Sequence, residues 1–88
     1  MTPSLTLYSR PGCCLCDDMK AIVAEVQADT AFTVTEVDIS ARPELEARFG
    51  QDIPVLFING RKAFKYRVTV GALRRRLHRS GAETRALP

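Results

Sequence analysis

Apolar and polar residues alternate along Leu5-Thr6-Leu7-Tyr8, a stretch rich in strand formers, until Ser9-Arg10-Pro11-Gly12 breaks the pattern. This predicts a strand ending in a loop. From Cys13 onward the period changes: Leu15, Met19, Ile22, Val23 and Val26 recur at three- and four-residue spacing, while Asp17, Asp18, Lys20 and Glu25 fall elsewhere. The spacing predicts a helix with one buried stripe. Alternation returns from Phe32 to Ile39 through Val34 and Val37, with one slip of phase between the two valines, and predicts a second strand. Ser40 to Phe49 reads as a short helix, with Pro43 in its first turn, Leu45 and Phe49 four apart, and Gly50 as its terminator. After Asp52-Ile53-Pro54, the apolar run Val55-Leu56-Phe57-Ile58, the turn Asn59-Gly60 and the return from Lys62 to Tyr66 predict a β-hairpin. Thr69 can cap a last helix with Val70, Leu73 and Leu77 on its inner face, closed by Ser80-Gly81.

The order is therefore βαβαββα, an α/β architecture. The first two strands form a right-handed parallel unit around the first helix, and the hairpin completes a four-stranded mixed sheet with helices on both faces. With 88 residues, the chain fits one core, expected over residues 1–80, with a flexible tail over 81–88.

Composition, 45% hydrophobic and 26% charged, excludes a fully disordered chain. No apolar run approaches a membrane span, and Met1-Thr2-Pro3-Ser4 lacks the charged start and apolar stretch of a signal peptide, so a cytoplasmic protein with no membrane partner is expected. The net charge of +3 hides an asymmetry: residues 1–60 hold four Lys or Arg against nine Asp or Glu, and residues 61–88 hold nine against one. The basic run Arg74, Arg75, Arg76, His78 and Arg79 could attract an acidic partner or phosphates. We read it as a solvated helix face whose cations favour the helix C-terminus, because no aromatic or glycine-rich recognition pattern accompanies it; nucleic acid is not an expected partner.

The chemistry lies in Cys13-Cys14-Leu15-Cys16. Secreted disulfide scaffolds spread even numbers of cysteines along the chain, whereas all three here lie within four residues, where a bridge constrains the unfolded chain little. Cys13 and Cys16 sit three apart on a starting helix and can close a disulfide. Cys13 is nearer solvent, and the unpaired N–H groups and positive dipole at a helix N-terminus favour its thiolate, which makes it the candidate nucleophile. Asp17, one turn further on, opposes that ionisation as a like charge, whereas Asp18 is rotated away. Cys14 points about 100° away from Cys13 and reads as a tolerated variable position. A zinc site would need more ligands than these cysteines and the single His78 supply, so no metal is expected. Inert core thiols and an iron–sulfur cluster bridging two chains are the other readings of the motif.

With a C-x-x-C opening the first helix and Pro54 just before the third strand, the chain up to about Ser80 resembles the thioredoxin fold and, within it, the glutaredoxin-like family. The resemblance implies that Cys13 attacks a disulfide and Cys16 resolves the mixed disulfide. It implies a cis Ile53-Pro54 bond beside the thiols, with the Ile53 backbone available to pair with an extended substrate. Arg10 stands where the family carries a lysine that stabilises the thiolate and holds glutathione, so it is expected to bind substrate and, with Asp17, to tune the nucleophile. The sequence departs from the family in three places. Leu15 replaces an aromatic residue inside the motif, Gly12 stands where thioredoxins have a tryptophan, and Tyr66-Arg67-Val68-Thr69 replaces the Gly-Gly-x-Asp that receives the glutathione amine. The chain is thus expected to be a divergent, monomeric member with no bound cofactor. It would reduce protein or glutathione mixed disulfides and be recharged by glutathione, as co-substrate, or by a thioredoxin reductase. The alternatives are a redox sensor or binding module using the basic helix, and an oxyanion reductase, which would need an arginine cluster near Pro54 that the sequence lacks.

Overall fold

The computed structural model describes residues 2–82. Its elements are β1 (Ser4–Ser9), α1 (Cys14–Gln27), β2 (Thr33–Asp38), a 3-10 turn (Ile39–Ala41), α2 (Pro43–Phe49), β3 (Val55–Ile58), β4 (Arg61–Lys65) and α3 (Val70–Arg79). The sheet order is β2-β1-β3-β4, with β1 and β2 parallel and the other pairs antiparallel. This is the expected four-stranded mixed sheet, with α1 and α3 packed on one face and α2 on the other.

Two apolar layers explain the strand patterns. Leu5, Leu7, Leu56 and Ile58 face Met19, Val23, Val26, Leu73 and Leu77, whereas Val55, Ile39, Phe49 and Cys16 form the second layer with Tyr8 and Phe57. Both faces of β3 are covered, so its apolar run need not alternate. The same reason accounts for the slip in β2. Its register against β1 runs unbroken from Thr33 to Asp38, and Val34 joins the first layer while Ile39, of opposite parity, joins the second.

The helix expected from Ser40 begins later. Arg42 is extended (φ −139°, ψ 115°), as a residue preceding proline prefers, and α2 starts at Pro43. Ser40 and Ala41 belong to the 3-10 turn, capped by the Asp38 carboxylate, which accepts the Ser40 N–H at 2.9 Å. The Ser40 hydroxyl, donating to the same oxygen at 2.6 Å, and then the Ser40 N–H hold the Asp38 carboxyl below its ordinary pKa. Gly50 ends α2 without a left-handed turn (φ −54°); a Cβ there would lie 2.5 Å from the Glu46 carbonyl oxygen, and this close approach is what calls for glycine. At the C-terminus Gly81 adopts φ +92° and Ala82 is buried, its N–H donating to Leu77 at 2.9 Å. These two residues close α3, and the remainder of the segment expected as a tail, 83–88, lies outside the described residues.

Candidate active site

The loop after β1 delivers Cys13 as the N-cap of α1, in an extended conformation (φ −94°, ψ 112°) that Gly12, at φ +79°, makes reachable. The Cys13 Sγ accepts the Cys16 N–H at 3.2 Å, so the sulfur takes the place of the capping oxygen usual at a helix start. Cys13 and Cys16 are joined as a disulfide with Cα atoms 5.2 Å apart. Cys13 is half-buried, Cys16 is fully buried, and Cys14 is exposed with a free thiol. Cys16 rather than Leu15 begins the buried stripe of α1, which continues through Met19, Val23 and Val26. Leu15 instead lines the cavity that Cys13 borders.

Cys13 opens into a cavity of about 380 Å³ whose walls include Arg10, Leu15, Gly50, Ile53 and Tyr66. The Ile53-Pro54 bond is cis, and Ile53 packs in the same buried layer as Cys16. An aromatic trio forms the floor of that layer: Tyr8 stacks on Phe49 at 4.5 Å between centroids, and Phe57 meets both edge-on. Arg10 and Cys13 from the loop after β1 and Ile53 from the segment before β3 thus line one cavity, with Pro54 following Ile53 through the cis bond. Asp17 is exposed in the first turn of α1, its N–H donating to the Cys13 carbonyl at 3.1 Å.

Two features of the site have no counterpart in the sequence reading. Arg10 is already engaged: its guanidinium donates to Glu46 Oε1 at 2.6 Å and lies 3.4 Å from the Gly50 carbonyl. The charge expected to bind substrate and tune the Cys13 sulfur is therefore shared with a carboxylate on α2. Tyr66, read as the last residue of the hairpin strand, instead sits at φ 67° after β4, with the Arg67 N–H donating to the Lys65 carbonyl at 2.8 Å across it. This is a γ-turn, a conformation that costs a non-glycine residue strain. Its N–H donates to the Pro54 carbonyl at 2.9 Å. Tyr66 borders both the thiol cavity and a second, more apolar hollow of about 390 Å³ lined also by Met19, Ile22 and Val68. No hydrophobic periodicity signals a left-handed tyrosine.

Of the basic run on α3, Arg74 is structural: it pairs with Asp29 Oδ2 just beyond the end of α1, and Thr30 donates to Oδ1 at 2.9 Å. The Thr30 hydroxyl, followed by Arg74, holds the Asp29 carboxyl below its ordinary pKa. Among the described residues, no group of three or more His, Cys, Asp or Glu side chains is arranged to hold a metal ion, and no helix is long and apolar enough to cross a membrane.

The fold has close counterparts. A protein from X. campestris superposes with a TM-score of 0.74 at 32% identity, over 85% of this chain and 96% of that one. A thioredoxin from Halobacterium salinarum superposes with a TM-score of 0.63 at 20% identity, covering 98% of this chain and 78% of that one, and bears on the fold alone. In sequence, a glutaredoxin-like protein of Dictyostelium discoideum is 32% identical over 71 residues, 74% of this chain and 66% of its own length. An uncharacterised Mycobacterium tuberculosis protein is 29% identical over 83 residues, 89% of this chain and 86% of its own. Residues 4–78, from the first strand through the last helix and with both bonded cysteines inside, match the family model described as Glutaredoxin-like domain (DUF836), and the chain accordingly belongs to the glutaredoxin-like family of the thioredoxin fold.

Proposed function

We propose that this protein is a thiol-disulfide oxidoreductase acting on protein or glutathione mixed disulfides. The observation that carries the reading is the pairing of a half-exposed Cys13 at the α1 N-cap with a fully buried Cys16 bonded to it, at the mouth of a cavity beside cis-Pro54. In the reduced protein the Cys13 thiolate attacks one sulfur of a substrate disulfide, forms a mixed disulfide and releases the first substrate thiol, which takes up a proton. The Cys16 thiolate then attacks the Cys13 sulfur, releasing the second thiol and closing the Cys13–Cys16 bond; two electrons pass from the dithiol to the substrate. Burial keeps Cys16 from meeting bulk disulfides, which supports the division of roles. Ile53 lies just ahead of the β3 ladder, where its backbone can pair with an extended substrate.

Glutathione as co-substrate, or a thioredoxin reductase, would return the disulfide to the dithiol, with the protein acting as a cytoplasmic monomer without a bound cofactor. Steady-state reduction of bis(hydroxyethyl) disulfide, with each of these reductants in turn, tests the reading. Turnover that requires Cys13 supports it. Reversible oxidation of the dithiol with no turnover under either reductant would leave a redox sensor in its place.

A further inference from the structure

Arg10 is the one cation among the residues lining the thiol cavity, and it does not stand alone. Glu46 Oε1 lies 2.6 Å from its guanidinium, and the Gly50 carbonyl holds a second nitrogen at 3.4 Å. Helix α2 fixes the Glu46 backbone, its N–H donating to the Arg42 carbonyl at 3.1 Å and its carbonyl accepting the Gly50 N–H at 2.9 Å, so the carboxylate is presented to Arg10 from a regular element although the side chain is 41% exposed. Its second carboxylate oxygen, Oε2, is buried with no hydrogen-bond partner among the described residues. A carboxylate oxygen left so is costly, and the cost is tolerated here beside an arginine it neutralises.

We propose that Glu46 is a positioning residue that cancels the Arg10 charge and so sets the substrate class: disulfides with uncharged groups beside the sulfurs, in preference to those flanked by carboxylates. This rests on the oxidoreductase reading of the same cavity. Arg10's attraction for a carboxylate arriving at the cavity is offset in large part by Glu46, which does not itself line the cavity but lies within a few ångströms of the guanidinium and well inside one screening length. An anionic substrate receives little electrostatic reward for its desolvation, and an uncharged one loses nothing. Protein segments with neutral residues next to the reacting cystine fit this cavity better than glutathione mixed disulfides, which bring carboxylates with them.

Two probes separate the cases: bis(hydroxyethyl) disulfide, which is neutral, and dithiodipropionate, which carries a carboxylate on each arm. Second-order rate constants for oxidising the reduced full chain are read by acid quench and intact mass, each divided by the rate with dithiothreitol to remove the probes' intrinsic difference. In the wild type the corrected anionic-to-neutral ratio should lie at or below one and change little with salt. Glu46→Gln should raise that ratio about fivefold at low ionic strength, the gain disappearing at high salt and when Arg10→Gln is added. An unchanged or lowered ratio in Glu46→Gln overturns the proposal, as does an equal gain on both probes. Should that variant not fold, a salt-sensitive preference of the wild type for dithiodipropionate overturns it equally. If neither probe oxidises the reduced wild type, the oxidoreductase reading itself fails, a result distinct from oxidation with an unmoved ratio.

Discussion

The single proton of the Tyr66 hydroxyl is shared between two acceptors, Asp52 Oδ1 at 3.1 Å and the Gln51 carbonyl at 3.2 Å, tying the end of the hairpin to the loop that carries Ile53 and cis-Pro54. The ring thereby becomes a wall of the thiol cavity although it is 40% exposed. Tyr66→Phe keeps the wall and loses only solvent-competing bonds, so a stability loss of about 0.5 kcal/mol is expected by urea titration. Tyr66→Gly relaxes the left-handed backbone by about 1 kcal/mol but opens the wall. It should therefore slow oxidation of the reduced protein by disulfides while costing little stability. A variant that is both less stable and equally reactive would show that the ring braces the fold and does not shape the cavity.

Cys13→Ser is expected to abolish disulfide reduction, whereas Cys14→Ser should keep more than about half of it, because only Cys13 combines access with the helix end. Cys16→Ser should accumulate a mixed disulfide on Cys13 under oxidised glutathione, seen as one glutathione adduct by intact mass. Equal losses in the Cys13 and Cys14 variants would contradict the assignment of the nucleophile.

Much of this site was legible because its chemistry depends on local spacing. The three-residue interval from Cys13 to Cys16, the Pro11-Gly12 break before them and the proline ahead of an apolar run each have a local physical meaning. The Arg10–Glu46 pair spans 36 positions between a loop and a helix, and nothing in either neighbourhood announces it. The γ-turn at Tyr66 was hidden for another reason: β-propensity favours tyrosine in a strand, and tertiary bonds to Pro54 and Asp52 override it. The start of α2 falls later than the pattern predicts because apolar spacing continues through Ile39, while the conformational veto of Pro43 on Arg42 acts at one residue only.

Asp29 links α3 to the end of α1, and its pH response has a definite sign. Its carboxyl titrates lower in the folded protein than in the unfolded chain, owing to the Thr30 hydroxyl and Arg74. The contribution is thus present at neutral pH, above the unfolded pKa, and is lost as pH falls through the folded one. Urea midpoints measured from pH 7 down into the acid range should decline less steeply for Asp29→Asn than for the wild type. Parallel declines would mean that the pair adds nothing to folding.

The acidity of Cys13 sets opposing effects against each other. Its sulfur caps α1 and accepts the Cys16 N–H, so a thiolate there gains from the helix terminus, an effect worth about 0.3 to 1 kcal/mol at exposed sites. Arg10 adds less than an isolated guanidinium would, since Glu46 shares its charge. Asp17, whose N–H bonds to the Cys13 carbonyl one turn on, places a like charge on the same helical face and disfavours the thiolate. The net expectation is a thiol that ionises at lower pH than free cysteine, and Asp17→Asn should move it lower still, raising the alkylation rate of the reduced protein at neutral pH about twofold. The same change removes an anion from the first turn of α1 and should cost about 0.3 kcal/mol of stability, a second signature of opposite sign. Asp18→Asn should alter the alkylation rate little, because its side chain turns toward the hollow lined by Met19 and Ile22. Alkylation rate against pH for the three proteins decides the matter. A titration unmoved or raised by Asp17→Asn would mean that its carboxylate points away from the sulfur and that helix capping alone, with what Arg10 retains, sets the reactivity of Cys13.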